Sequence, residues 1–107
     1  MVKLIALLKR KSELSKETFA KRWLEEHVKL SAQMPGLLEY RVNIVREEQE
    51  GAEAHFDGTA ELWWESLEAM EAAFASEIGK AAGADADDFC EQRIHIYTEE
   101  HLVVPRR

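Results

Sequence analysis

"LLEYRVNIV" (residues 37–45) alternates without a break: Leu38, Tyr40, Val42 and Ile44 fall on one side, and Glu39, Arg41 and Asn43 on the other. A period of two with one apolar side marks a half-buried strand. The next stretch, "REEQEGAEAHFDG" (46–58), is charged and contains glycine, as a solvated loop or hairpin connection does. "TAELWW" (59–64) then reads as a further strand, with tryptophans on both of its faces.

Working outward from this pair, "MPG" (34–36) stops a helix that opens at Ser15 and runs to about Gln33. Ser15 is a good N-cap, and Glu17 in the first turn suits the helix dipole. "VKLIALLK" (2–9) before it is short and apolar, a strand with both faces largely covered. On the other side, Ser66 caps a second helix, "SLEAMEAAFAS" (66–76), with Leu67, Met70 and Phe74 on one face. "EIGKAAGADADDFCEQ" (77–92) reads as a helical turn, a loop and a short helix. "RIHIYTEEHLVV" (93–104) reads as a long strand or two strand pieces, ended by Pro105.

The order strand, helix, strand, strand, helix, strand is that of an α+β, ferredoxin-like βαββαβ domain spanning 1–107. Both helices lie on one side of such a sheet. The other side is bare, yet several strands carry apolar residues on both faces, so a homodimer is expected.

The chain is 46% hydrophobic and 33% charged, a globular composition. Its net charge of −7 argues against nucleic acid as a partner, because that demands a basic surface. No apolar run approaches the ~20 residues of a membrane span, and "MVKLIALLKRK" (1–11) lacks the order of a secretory signal. Residues 1–30 hold eight Lys/Arg against four Asp/Glu, whereas 65–91 hold one lysine against eight acids. Solvated faces explain this most simply, and complementary surfaces in self-association are the functional alternative. The single cysteine, Cys90, cannot form an internal disulfide, which points to the cytoplasm. Its acidic neighbours would suppress the thiolate.

Phe19, Trp23 and His27 recur every fourth residue, so a stripe of two aromatic rings ends in an imidazole. A histidine there is either buried and hydrogen-bonded, or lines a cavity and passes protons near neutral pH. Glu61, between apolar neighbours, is the carboxylate candidate to orient His27 or act as a base; its alternative is a cross-strand partner for Arg41 or a lysine. Trp23, Tyr40 and Trp63 are candidates to line a pocket for a small apolar or aromatic molecule. His95 and Tyr97 alternate on the last strand, with His101 beyond, but their spacing matches no metal signature. No nucleotide fingerprint or nucleophile elbow is present.

"LLKRKSELSKETFAKRWLEEH" (7–27), "MPGLLEYRVN" (34–43), "FDGTAELWWESLEAMEAAFAS" (56–76) and "TEEHLVVP" (98–105) together resemble the EthD family, named for ethyl tert-butyl ether degradation. The resemblance implies a dimeric α+β barrel, with two protomers packed sheet against sheet. It makes His27 the family's helix-borne histidine, preceded by Trp23 and Phe19, and assigns Asp57, Gly58, Glu61 and Trp63 to a "DG.AELW" element. Some isomerase relatives use a cysteine near the end of the third strand, where this chain has "WWES". The implied activity is a cofactor-free lyase, isomerase or dehydratase step on an apolar or polyketide-like carbonyl compound. His27 and Glu61 would be catalytic, with Phe19, Trp23, Tyr40 and Trp63 against the substrate and no metal. The alternatives are a non-catalytic ligand-binding or accessory protein, and a haem-linked monooxygenase-type barrel with His27 as axial ligand.

Overall fold

The computed structural model describes residues 1–46 and 55–107. Most of the loop expected over 46–58 therefore lies outside the described residues. The elements are β1 (Val2–Arg10), α1 (Lys16–Arg22), a π-helical turn (Trp23–His27), α2 (Val28–Ser31), β2 (Glu39–Ile44), β3 (Gly58–Trp64), α3 (Leu67–Ala75), α4 (Glu77–Phe89) and β4 (Cys90–Thr98). The strands form one antiparallel sheet in the order β2–β3–β1–β4. This is the ferredoxin-like arrangement.

Serines start the helices as side-chain chemistry dictates. The hydroxyls of Ser15, Ser66 and Ser76 accept from the backbone N–H of Thr18, Ala69 and Gly79. The third of these caps overturns the expectation of a loop after residue 76: Glu77–Phe89 is one continuous helix. Gly79 looks like a breaker but is there for space, because a Cβ would run into the backbone of Ala73 and Phe74 at the α3–α4 corner. The last strand also departs from expectation. It begins at Cys90 and ends at Thr98, and Leu102, Val103 and Val104 are exposed beyond it.

Alternation sends Leu4, Ala6 and Leu8 of β1, and Ala60, Leu62 and Trp64 of β3, into the core beneath the helices with Phe19, Trp23, Met70 and Phe89. Gly58, paired with Ile44 and Leu8, lets the first helix lie down on this sheet. A Cβ there would stand 2.5 Å from the Trp23 ring and 2.7 Å from the Asn43 carbonyl. The opposite face carries Lys3, Ile5 and Leu7 of β1, Glu61 and Trp63 of β3, and Ile94 and Ile96 of β4, and among the described residues no helix lies over it.

Candidate active site

The stripe Phe19–Trp23–His27 faces inward, as expected, but the helix does not stay α-helical. A π turn spans Trp23–His27, the kind of local widening often found where a helix presents a functional side chain. Phe19 is core: its ring packs 5.6 Å from Trp23 and 5.5 Å from Phe89. Trp23 and His27 go further and line a hollow between the helices and the sheet.

The hollow exists because small residues face one another across it. Ala6 and Ala60 pair side by side in the sheet and make the floor. Ala82, Gly83 and Ala86 of α4 make the roof. The cavity measures about 60 Å³, several times the ~10–15 Å³ one water needs but well below the ~150 Å³ that accommodates benzene. Polar groups come from His27, Ser31, Tyr40, Arg93 and His95, with His95 beside Ala6 in the strand register. A haem does not fit a space this size next to His27.

His27 is 7% exposed, with its ring against Phe89. Its Nδ1 lies 2.8 Å from Oδ2 of Asp85 on α4. The same carboxylate accepts from both Nη atoms of Arg22, at 2.7 and 3.1 Å. Those bonds, from a cation stacked over Phe89, hold Asp85 below the usual carboxylate range and therefore ionised. An ionised carboxylate only accepts, so Nδ1 carries the proton and the neutral ring presents Nε2 as a lone pair. Among the described residues Nε2 has no protein partner. Burial lowers the His27 pKa; Asp85 pulls it back up, while Arg22 and Arg93 lower it further. At neutral pH the group is an unprotonated base fixed in orientation.

Tyr40 also lines the cavity. Its hydroxyl donates to Ser31 Oγ at 2.9 Å, and Ser31 in turn donates to the His27 carbonyl at 3.1 Å. Burial raises the Tyr40 pKa, with Ser31 and Trp23 partly offsetting it, so the phenol keeps its proton. The chain of hydroxyls ties the π turn to β2.

Two expected site residues are elsewhere. Glu61 and Trp63 occupy odd positions of β3 and point to the open side of the sheet, because neighbouring strand residues alternate. Glu61 pairs with Lys3 at 2.7 Å and accepts from Asn43, and Lys3 keeps its pKa low. Trp63 donates to Glu100 at 3.1 Å under the Lys3 ammonium. The carboxylate serving His27 is Asp85, not Glu61. Asp57, the residue before Gly58, accepts from the backbone N–H of Arg10 at 2.9 Å, which makes it a tie between strand ends. Cys90 is buried, and desolvation pushes its thiol up to about 12, which leaves it inert.

Asp85, Arg22 and Arg93 were missed because each gains its meaning from partners distant in sequence. A signal for Asp85 did exist. Ala82, Asp85, Ala86 and Phe89 have the spacing of one helix face, and an aspartate in an apolar stripe demands a partner.

A four-stranded antiparallel sheet covered on one face by helices, with a histidine-lined hollow between, defines an α+β protein of the ferredoxin-like class. The chain belongs to the EthD family: the EthD domain model matches residues 11–93. An EthD family protein from Bacillus halodurans C-125 is 28% identical, superposes with a TM-score of 0.82, and is covered over 94% of this chain and 99% of its own. A dimeric ferredoxin-like protein of unknown function from Thermobifida fusca YX shares 16% identity over 91% of this chain and 88% of its own, with a TM-score of 0.69. SnoaB, a cofactor-independent oxygenase from Streptomyces nogalater, shares 13% over 98% and 97%, also with a TM-score of 0.69. At these lower identities the likeness is one of fold. No curated protein matches the sequence. Among the described residues, no helix is long and apolar enough to cross a membrane.

Proposed function

We propose that this chain is a cofactor-free acid–base catalyst of the lyase, isomerase or dehydratase type, acting on a small carbonyl compound in the Trp23–His27 cavity. One observation carries the reading: Asp85, clamped by Arg22, engages Nδ1 of His27 and leaves Nε2 as the acceptor at the cavity wall. Nε2 takes a proton from carbon next to the carbonyl; the C–H electron pair becomes the carbon–carbon π bond, and the C=O π pair moves onto oxygen to give an enolate. The imidazolium so formed, stabilised by Asp85, returns the proton at another atom (isomerisation) or to a leaving group at the β-carbon (elimination). Trp23 and Tyr40 bound the substrate; Phe19 supports Trp23 from behind. Glu61 and Trp63, on the far face, take no part in this step.

The protomers pair through the uncovered sheet face, where Ile5, Leu7, Ile94 and Ile96 form an apolar patch. A cytoplasmic setting suits the single reduced, inert thiol of Cys90.

Isotope exchange tests the chemistry without a known substrate. In D2O, the protein should accelerate deuterium uptake next to the carbonyl of small ketones such as acetone and butanone, read by proton NMR. His27→Gln should lower the rate by about 10²-fold or more, the usual contribution of a positioned base, and Asp85→Asn should lower it with the fold intact. Exchange at the buffer rate, with folded wild type binding the ketone, would leave His27 a buried histidine in a binding protein.

A further inference from the structure

We propose that the ligand of this cavity is a small carboxylic acid that also carries the reacting carbonyl, its short branched chain over Ala6 and Ala60, its carboxylate on Arg93, and its way in past Gly83. The proposal rests on the reading of the cavity as a ligand site and names the class of molecule that fills it.

Among the described residues, Arg93 is the sole charged side chain on the wall, and no carboxylate lines the hollow. It sits opposite Leu8 on β4, two residues before His95 and on the same face of the strand. Its guanidinium makes one protein contact there, Nη2 donating to Asp87 Oδ1 at 2.6 Å. Asp87 is 71% exposed, so it anchors the arginine from the solvent side while water carries most of its own charge. The remaining guanidinium N–H groups have no protein acceptor among the described residues. A planar fork of donors on the wall of a cavity that no carboxylate lines favours a planar anion over a neutral amide of the same shape.

Size argues in the same direction. A 60 Å³ hollow accepts a short branched chain, not a whole ring. The rest of the ligand must occupy the mouth, where Arg93 and His95 stand. Gly83 leaves room for that. It is a glycine inside α4, where alanine is the better helix former, and a Cβ added to it would meet no atom within 4 Å. The space that side chain would take is the space through which a ligand passes.

The test pairs each acid with its isosteric amide: isobutyrate with isobutyramide, and 2-methylbutanoate with 2-methylbutanamide. Binding is followed by NMR on the His27 ring resonances. Wild type should bind each acid about ten-fold tighter than its amide, the worth of a charge-assisted hydrogen bond. Arg93→Gln should erase the preference and leave the amide affinity within two-fold or so, and Gly83→Leu should weaken both. Equal affinity for acid and amide, or a preference that survives Arg93→Gln, overturns the proposal while the cavity remains a ligand site. Failure of both probes to move His27 at tens of millimolar overturns the proposal and the ligand-site reading together.

Discussion

His27 illustrates how one side chain's environment sets its chemistry. A histidine held below its ordinary pKa by burial makes stability depend on pH with a fixed sign. Between the lowered folded value and the unfolded value of about 6.5, the unfolded chain binds a proton that the folded chain does not. Stability contributed by the neutral ring is therefore present above that unfolded value and drains away as pH falls below it. Asp85, also depressed, acts in the same direction at lower pH. Urea midpoints measured from pH 7.5 to 5 should fall more steeply for wild type than for His27→Gln; parallel curves would mean that His27 is not desolvated. At this scale the histidine is plain in the sequence, whereas its carboxylate leaves only the fainter mark of an aspartate in an apolar helical stripe. The spacing of Phe19, Trp23 and His27 fixes a helix face from local information alone. Glu61 looked like the partner because it stood among apolar neighbours, but alternation along β3 turns it away, and the true partner stands 58 residues from His27 on another helix.

At the level of elements, the hollow follows from where small residues meet. β1 and β3 each place an alanine at the centre of the inner face, and α4 lays Ala82, Gly83 and Ala86 over them. The glycines then have opposite roles, and substitution separates them. Gly58→Ala should cost about 1–3 kcal/mol or more by driving a methyl into Trp23 and the Asn43 carbonyl. Gly83→Ala, in open space on a helix, should stabilise by about 0.5–1 kcal/mol. Denaturant midpoints giving the same sign for both would contradict this division. The strands and the first helix could be read from period and caps. The continuous α4 could not, because Gly79 and Gly83 mimic loop signals and only the packing of the α3–α4 corner and the cavity explains them. The π turn has no local sequence mark of its own.

For the whole molecule, the sheet face opposite the helices carries apolar residues that no described helix covers. Ile94 and Ile96 are 36% and 44% exposed on it, beside Ile5 and Leu7. "VKLIALL" is apolar on both strand faces, which by itself requires something to cover this side. Ile94→Asp should turn a dimer into a folded monomer by light scattering, since a carboxylate in the centre of a sheet-to-sheet contact cannot be desolvated cheaply. A wild type that is already monomeric at high micromolar concentration would remove the pairing. The ion network on the same face, Lys3 with Glu61 and Glu100, would then be a rim of solvent-facing pairs of small energetic weight.

Proton transfer by His27 depends on which of its ring nitrogens is free. Long-range proton–nitrogen NMR of the imidazole at pH 7 reads this directly. It should find the Nδ1–H tautomer, with Nε2 unprotonated and shifting when 2-methylbutanoate is added. An Nε2–H tautomer, or a ring carrying both protons at that pH, would contradict the base assigned here.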